Sequence, residues 1–265
     1  MNWNKTQLLA ILPQRLRQER YDDVTEVRLR LGRPPMLRTL TGHRELTGHV
    51  EERELSFVLN AASGYSPWNA ASLREGYLTA PGGHRIGICG EMAGEGIRTV
   101  TSLCIRIARD ISGAARGLPG DGSLLLLGPP GSGKTTLLRD LIRLRSRTET
   151  VAVVDERREL FPEGFARGDH VDVLTGVAKP KGIDMVLRCM GPDVIAMDEI
   201  TSPDDCEALV RAAWCGVRLL ATAHASSVRD LRERSVYKPL VRTGLFDRAA
   251  VLDGQRNWHL EEVVP

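Results

Sequence analysis

The hydrophobic and polar positions of this chain follow two different periods. From residue 124 onward, short runs apolar at every position alternate with segments of helical period. "SLLLLG", "TVAVVD", "DVIAMDE" and "VRLLATAH" predict strands. "KTTLLRDLIRLRS", residues 182–190 and residues 203–215 predict helices, the last opened by Ser202-Pro203. A strand with no polar face is buried on both sides, so the pattern predicts an α/β domain with a parallel sheet covered by helices.

The first 110 residues read differently. Leu8, Leu9, Ile11, Leu12 and Leu16 share one face of a predicted helix. In "VTEVRLRLGRPP", Val24, Val27, Leu29 and Leu31 punctuate charges as in a half-buried strand, and Gly32 with Pro34-Pro35 makes a turn. Residues 51–62 predict a second helix, and "GYLTAPGGHRIGICGEMAGEGIRTVTSLCIRIARD" predicts several short strands joined by glycine turns. The expected organisation is a smaller α+β N-terminal domain over 1–110, a linker "ISGAARGLPGDGS" over 111–123, and the α/β domain over 124–265.

Composition is that of a folded protein, with 42% hydrophobic and 26% charged residues across 265 positions, so disorder is a poor expectation. The net charge of +2 is too small to announce a nucleic-acid binder. Nearly all the positive charge is arginine, since the only lysines are Lys5, Lys134, Lys179, Lys181 and Lys238, which makes Lys134 conspicuous. Cys89, Cys104, Cys189, Cys206 and Cys215 lie far apart without a C-x-x-C pair, which argues for reduced thiols over a zinc site or disulfides. The N-terminal apolar stretch is too short for a signal peptide, and no run approaches the roughly 18 apolar residues of a membrane span.

The chemistry concentrates where the predicted strands end. "GPPGSGKTT" fits G-x-x-x-x-G-K-[ST] through Gly128, Gly133, Lys134 and Thr135, between an apolar strand and a helix. In such a loop the backbone of residues 128–136 (Gly128, Pro129, Pro130, Gly131, Ser132, Gly133, Lys134, Thr135, Thr136) curls so that its N–H groups, which the two prolines lack, surround phosphate oxygens. Lys134 is expected on the β- and γ-phosphates of ATP and the Thr135 hydroxyl on Mg²⁺. "DVIAMDEI" ends its strand in Asp198, expected in the Mg²⁺ shell, and Glu199, placed to orient or deprotonate an attacking water. Ligands of open parallel sheets sit beyond the carboxyl ends of the strands. "VVDERREL" therefore brings Asp155 and Glu156 toward the nucleotide, and His224, ending "TAH", is expected to sense the γ-phosphate. In an oligomer a neighbour's arginine can reach the γ-phosphate, and Arg106 and Arg109 in "CIRIARD" are candidates, with Arg85, Arg157 and Arg188 also eligible.

The stretch "PDVIAMDEITSPDDCEALVRAAWCGVRLLATAHASS" resembles the Walker B-to-His-box region of type II and type IV secretion and pilus-retraction ATPases. "VVDERREL" sits where those proteins carry an acidic Asp box. More narrowly, "VTEVRLRLGRPP", "GGHRIGICGE", "IRIAR", "GPPGSGKTTLLRD", "VVDERREL" and "MGPDVIAMDEI" resemble the stage III sporulation protein AA family, over nearly the whole chain. The resemblance implies a RecA-like P-loop NTPase that hydrolyses ATP with Mg²⁺, works as a hexamer of itself in the cytoplasm, and reaches the membrane through partner proteins. Those partners would form a sporulation channel or secretion-like apparatus between mother cell and forespore. Two departures stand out: many secretion ATPases have Gly where this chain has Asp198, and the tetracysteine zinc module of type II motors is missing.

The alternative of a nucleic-acid-dependent motor, such as a helicase loader, predicts a basic patch with stacking aromatics. Aromatics are sparse here, with four each of Trp, Tyr and Phe, and residues 121–265 carry 20 basic against 22 acidic groups, which argues against nucleic acid as a partner. A small-molecule kinase needs an Arg-rich lid, a GTPase an N-K-x-D motif, and a transporter ATPase an L-S-G-G-Q segment; the chain offers none of these signatures.

Overall fold

The computed structural model describes residues 5–39, 41–65, 76–94, 96–162, 164–255 and 257–263. The chain forms two compact units: residues 1–110 with 162–165, and residues 111–161 with 166–265.

In the first unit the opening helix α1 covers Lys5–Ile11 and a single 3₁₀ turn follows at Gln14–Leu16. The expected helix does not run through to Leu16, because Pro13 lacks an N–H and its ring clashes with the carbonyl four residues back. Leu8, Ile11, Leu12 and Leu16 nevertheless share one buried core. Strands β1 (Val24–Arg30), β2 (Met36–Thr39) and β3 (His43–Glu45) precede helix α2 (Glu52–Ala62), and β4 (Tyr77–Thr79), β5 (Arg85–Ala93) and β6 (Gly96–Arg106) follow it. They form one antiparallel sheet in the order β3-β2-β1-β6-β5-β4. Where short strands were expected, β5 and β6 instead make a long hairpin whose register shifts at Gly90, where a Cβ would collide with the Thr99 carbonyl. Period-two alternation lines up Val27, Ile105 and Ile86, then Leu29, Leu103 and Ile88, in registered rows of the core shared with α1 and α2.

The second unit carries a seven-stranded sheet. Its strands are β7 (Leu124–Leu127), β8 (Val151–Asp155), β9 (Val171–Thr175), β10 (Val194–Met197), β11 (Arg218–Ala223), β12 (Arg248–Leu252) and β13 (Trp258–Glu262). The order is β13-β12-β7-β11-β10-β8-β9, parallel throughout except for β13, which lies antiparallel on β12. Helix α3 (Lys134–Arg145) buries Leu137, Leu138, Leu141 and Ile142 with Leu124, Leu126, Val151 and Val153. Helices α4 (Lys179–Cys189), α5 (Pro203–Trp214), α6 (Val228–Glu233) and α7 (Lys238–Arg242) share a separate core with Leu125, Leu127, Ala152 and Val154. Alternate residues of each apolar strand thus enter opposite cores, which is why these strands lack a polar face. Each fully buried Leu or Val side chain contributes about 1.5–3 kcal/mol.

The stretch whose composition reads as a linker is held within this second unit. The Asp140 carboxylate of α3 accepts from the Gly113 N–H at 3.0 Å and the Ala115 N–H at 2.8 Å, and Ala115 is buried. Among the described residues no helix is long and apolar enough to cross a membrane.

Candidate functional site

Parallel strands β7, β8, β10 and β11 point their carboxyl ends the same way, so the segments that follow them meet at one rim. The first is the loop from Gly128 to the N-terminus of α3. Gly128 has φ +154, and a Cβ there would lie 2.9 Å from the Leu252 carbonyl, so only glycine fits between the loop and β12. Gly133, at φ +98, turns the chain into α3. The helix therefore opens with free N–H groups and its partial positive charge at the loop. Ser132 is buried, and its Oγ has no hydrogen-bond partner among the described residues.

Lys134 is buried beneath this loop. Its Nζ donates to the Gly128 carbonyl at 2.8 Å and the Pro129 carbonyl at 2.9 Å, and lies 3.3 Å from His224 Nδ1. An ammonium only donates, so Nδ1 is the acceptor and the imidazole proton sits on Nε2. That nitrogen is 2.5 Å from Glu199 Oε1. Burial pulls the Lys134 ammonium below its ordinary pKa, opposed by the charges of Asp198 and Glu199. The Glu199 carboxyl is desolvated too, yet His224, Lys179 and Arg157 hold it below the usual carboxylate value, so it is ionised at neutral pH.

Asp198 and Glu199 occupy the turn after β10. Asp198 Oδ2 accepts from the Thr135 hydroxyl at 2.7 Å, and Oδ1 from the Thr222 hydroxyl at 2.7 Å. Two hard oxygens of opposite elements, Thr135 Oγ1 and Asp198 Oδ2, therefore stand together, a donor set that suits Mg²⁺. Glu199 has φ +56, a left-handed conformation that costs a non-glycine residue about 1 kcal/mol or more. Both sides of its backbone are held: its N–H donates to Thr222 Oγ1 at 2.8 Å, and its carbonyl accepts from Lys179 Nζ at 2.7 Å. Thr222 and Lys179 are absent from the sequence-derived site. Thr222 could be found only as the one hydroxyl inside "LLATA", two residues before His224 on the same strand face.

The acidic stretch after β8 divides its work. Asp155 is buried and accepts from the backbone N–H groups of Glu159 (2.8 Å), Leu160 (3.0 Å) and Phe161 (3.0 Å). These three contacts fold the loop back onto the end of β8. Burial raises the Asp155 carboxyl pKa, while the Phe161, Glu159 and Leu160 N–H groups pull it down. Arg139 of α3 donates to the Leu160 and Glu159 carbonyls, tying this loop to the helix that carries Lys134. Glu156 remains half-exposed, 3.9 Å from Lys179 Nζ, and Arg157 lies 4.0 Å from Glu199 Oε2.

The candidate arginines of the first unit separate as well. Arg109 donates to the carbonyls of Tyr21 (2.7 Å) and Val24 (2.8 Å) within its own unit. Arg106 is exposed, 3.9 Å from Glu26 and within reach of the Cys104 thiol. Arg85 stacks over Tyr77 at 4.5 Å from the ring centroid.

The family model for sporulation stage III, protein AA matches residues 4–259. The chain is 35% identical over 258 residues to stage III sporulation protein AA of Bacillus subtilis, covering 87% of this chain and 83% of that protein. It is also 35% identical over 107 residues to type II secretion system protein E of Pseudomonas aeruginosa, which covers 40% of this chain and only 21% of that longer protein. Among solved structures, the pilus retraction motor PilT, crystallised with bound ADP, superposes with a TM-score of 0.62 at 17% identity, over 86% of this chain and 73% of that one. That likeness supports the RecA-like fold. The chain belongs to the sporulation stage III, protein AA family and is distantly similar to secretion ATPases.

Proposed function

From membership in that family, we propose that this chain is a Mg²⁺-dependent ATPase. It works as a hexameric ring motor at the cytoplasmic side of a membrane, energising a channel or secretion-like apparatus during endospore formation. The observation that carries the reading is the convergence of Lys134, Thr135, Asp198, Glu199 and His224 from three parallel strand ends, with Lys134–His224–Glu199 and Thr135–Asp198 in direct hydrogen-bond contact.

Each group has a task in ATP hydrolysis. The 128–133 backbone and the α3 N-terminus receive the phosphates, and Lys134 leaves its carbonyl partners to neutralise the β- and γ-phosphate charge. Thr135 and Asp198 would hold Mg²⁺, which supplies charge neutralisation to the triphosphate when bound. Glu199, ionised and poised on the rim, accepts the proton of the attacking water. His224 holds Glu199 through Nε2–H and meets the γ-phosphate as Lys134 shifts. Glu156 belongs to the same rim and adds negative charge beside Glu199, while Asp155 folds the loop that carries it. Arg106, exposed on its own unit, is the first arginine to test for action on a neighbouring subunit's nucleotide, with Arg157 and Arg188 also eligible.

The test is ATP turnover and particle size of the purified protein, with and without single-stranded DNA. Lys134→Ala is expected to lose turnover, and Glu199→Gln to keep ATP binding while losing most hydrolysis. Mixing Arg106→Ala with Lys134→Ala subunits is expected to restore part of the activity if the arginine works in trans. Hydrolysis at the wild-type rate by Glu199→Gln would refute the base, and strong DNA stimulation would favour a nucleic-acid motor instead.

A further inference from the structure

Of the chain's five lysines, Lys134 and Lys179 are buried among the described residues. Lys134 belongs to the phosphate loop. Lys179 stands at the first turn of α4, next to Pro180, where a charged side chain has no reason to be buried for helix formation. Its ammonium reaches across to the turn after β10 and donates to the Glu199 carbonyl at 2.7 Å, with Thr201 Oγ1 at 3.5 Å. Two carboxylates balance its charge from either side, Asp205 Oδ2 at 3.8 Å and Glu156 Oε2 at 3.9 Å.

What the ammonium grips is an unusual piece of backbone. Glu199 is one of three described non-glycine residues with positive φ, and its carbonyl is turned inward toward α4 as a result. Removing the donor leaves that carbonyl without its charge-assisted partner, and the turn can relax toward ordinary φ. Such a rotation would swing the Glu199 side chain away from His224. The other end of the grip is equally fixed. Asp205 is the N3 residue of the α5 capping box and accepts from the N–H groups of Thr201 and Ser202 at 2.9 and 3.1 Å. Lys179 thus spans the end of β10, the start of α5 and the acidic stretch after β8.

We infer that Lys179 is a positioning residue for hydrolysis: it holds the Glu199 backbone in its left-handed conformation so that the carboxylate faces the attacking water. The inference rests on the reading of Glu199 as the general base. Lys179 touches none of the phosphate-loop groups, so its loss acts on the chemical step and not on nucleotide affinity. A displacement of about 1 Å at a catalytic group costs roughly 100-fold in rate.

The test compares Lys179→Met, Lys179→Arg, Glu199→Gln and the Lys179→Met/Glu199→Gln double variant in the full chain. Steady-state ATP turnover and the affinity for a fluorescent ATP analogue are the measurements. Lys179→Met is expected to lower kcat roughly 10- to 100-fold with unchanged nucleotide affinity. Lys179→Arg should recover most of the loss, and Lys179→Met should cost nothing further on the Glu199→Gln background. If Glu199→Gln is inactive while Lys179→Met turns over at the wild-type rate, or loses affinity in step with kcat, the positioning role is overturned. If Glu199→Gln itself hydrolyses normally, the general-base reading fails first and takes this one with it. Should Lys179→Met not fold, Lys179→Gln, which keeps a donor on a shorter stem, decides on the same criteria.

Discussion

Thr222→Val isolates one hydroxyl without changing side-chain shape. That hydroxyl accepts from the Glu199 N–H at 2.8 Å and donates to Asp198 Oδ1 at 2.7 Å, and Thr222 is only 1% exposed. Valine leaves both groups without this partner. A buried N–H so orphaned costs about 1–3 kcal/mol. Asp198 is half-buried and keeps the Thr135 hydroxyl on its other oxygen, so water can replace much of what it loses. The sum is about 2 kcal/mol, which for a protein of this size lowers the melting midpoint by about 4–8 °C. Scanning calorimetry reads the shift, and the same preparation assayed for ATP turnover should lose activity, since one anchor of the Glu199 turn is gone. Thr222→Ser keeps the hydroxyl and gives up one methyl, so it should retain turnover. A valine variant that melts within about 2 °C of wild type and hydrolyses ATP normally would refute the reasoning. So would a serine variant as inactive as the valine one.

Gly182→Ala sets two effects against each other: alanine gains about 0.5–1 kcal/mol of helix propensity, but its Cβ would lie 2.5 Å from Val154 Cγ1 and 3.2 Å from Val177 Cγ1. Overpacking of about 1–3 kcal/mol wins, so denaturant unfolding should show a net loss; a gain would mean α4 can lift off β8 at little cost. Thiol labelling at pH 8 should modify the exposed Cys89, Cys189 and Cys215 quickly and Cys206 only on unfolding, because burial pushes the Cys206 thiol up to about 12. Rapid labelling of Cys206 in the native protein would contradict its burial. The Glu199 pKa is lowered in the folded protein, so its ion pairing stabilises above the unfolded carboxyl value and is lost as pH falls through the folded one. The acid limb of kcat set by Glu199 should therefore fall below the ordinary glutamate pKa of about 4.3. Replacing His224 by Gln should move that limb upward, and an unmoved limb would count against the pairing.

The parallel sheet was legible because β7, β8, β10 and β11 are apolar at every position, and because a phosphate loop has to lie between a strand and a helix. What escaped notice has physical causes. β12 and β13 alternate weakly and take their place from pairing, β12 with β7 and β13 with β12, contacts with no local signature. The start of α4 was missed because Lys179-Pro180-Lys181 looks like surface until Lys179 is seen to be buried. Asp155 and Glu156 are adjacent acids at the end of one strand, and spacing does not tell which of them turns inward. The backbone N–H groups of Glu159, Leu160 and Phe161 decide that, and they arrive only when the loop closes. Thr222 is invisible for a related reason: its partners come from the neighbouring strand, and a hydroxyl within an apolar run carries no mark of what stands beside it.

The sheet order β7-β11-β10 has a mechanical corollary. The strand that leads into the loop of Lys134 and the strand that leads into the acidic turn never touch; β11 runs between them, and His224 follows it directly. Beside the direct Thr135–Asp198 contact, the hydrogen-bonded route from Lys134 to Glu199 runs through an imidazole. The histidine is therefore a bridge between the two sides, and the lateral sequence of the strands makes it so.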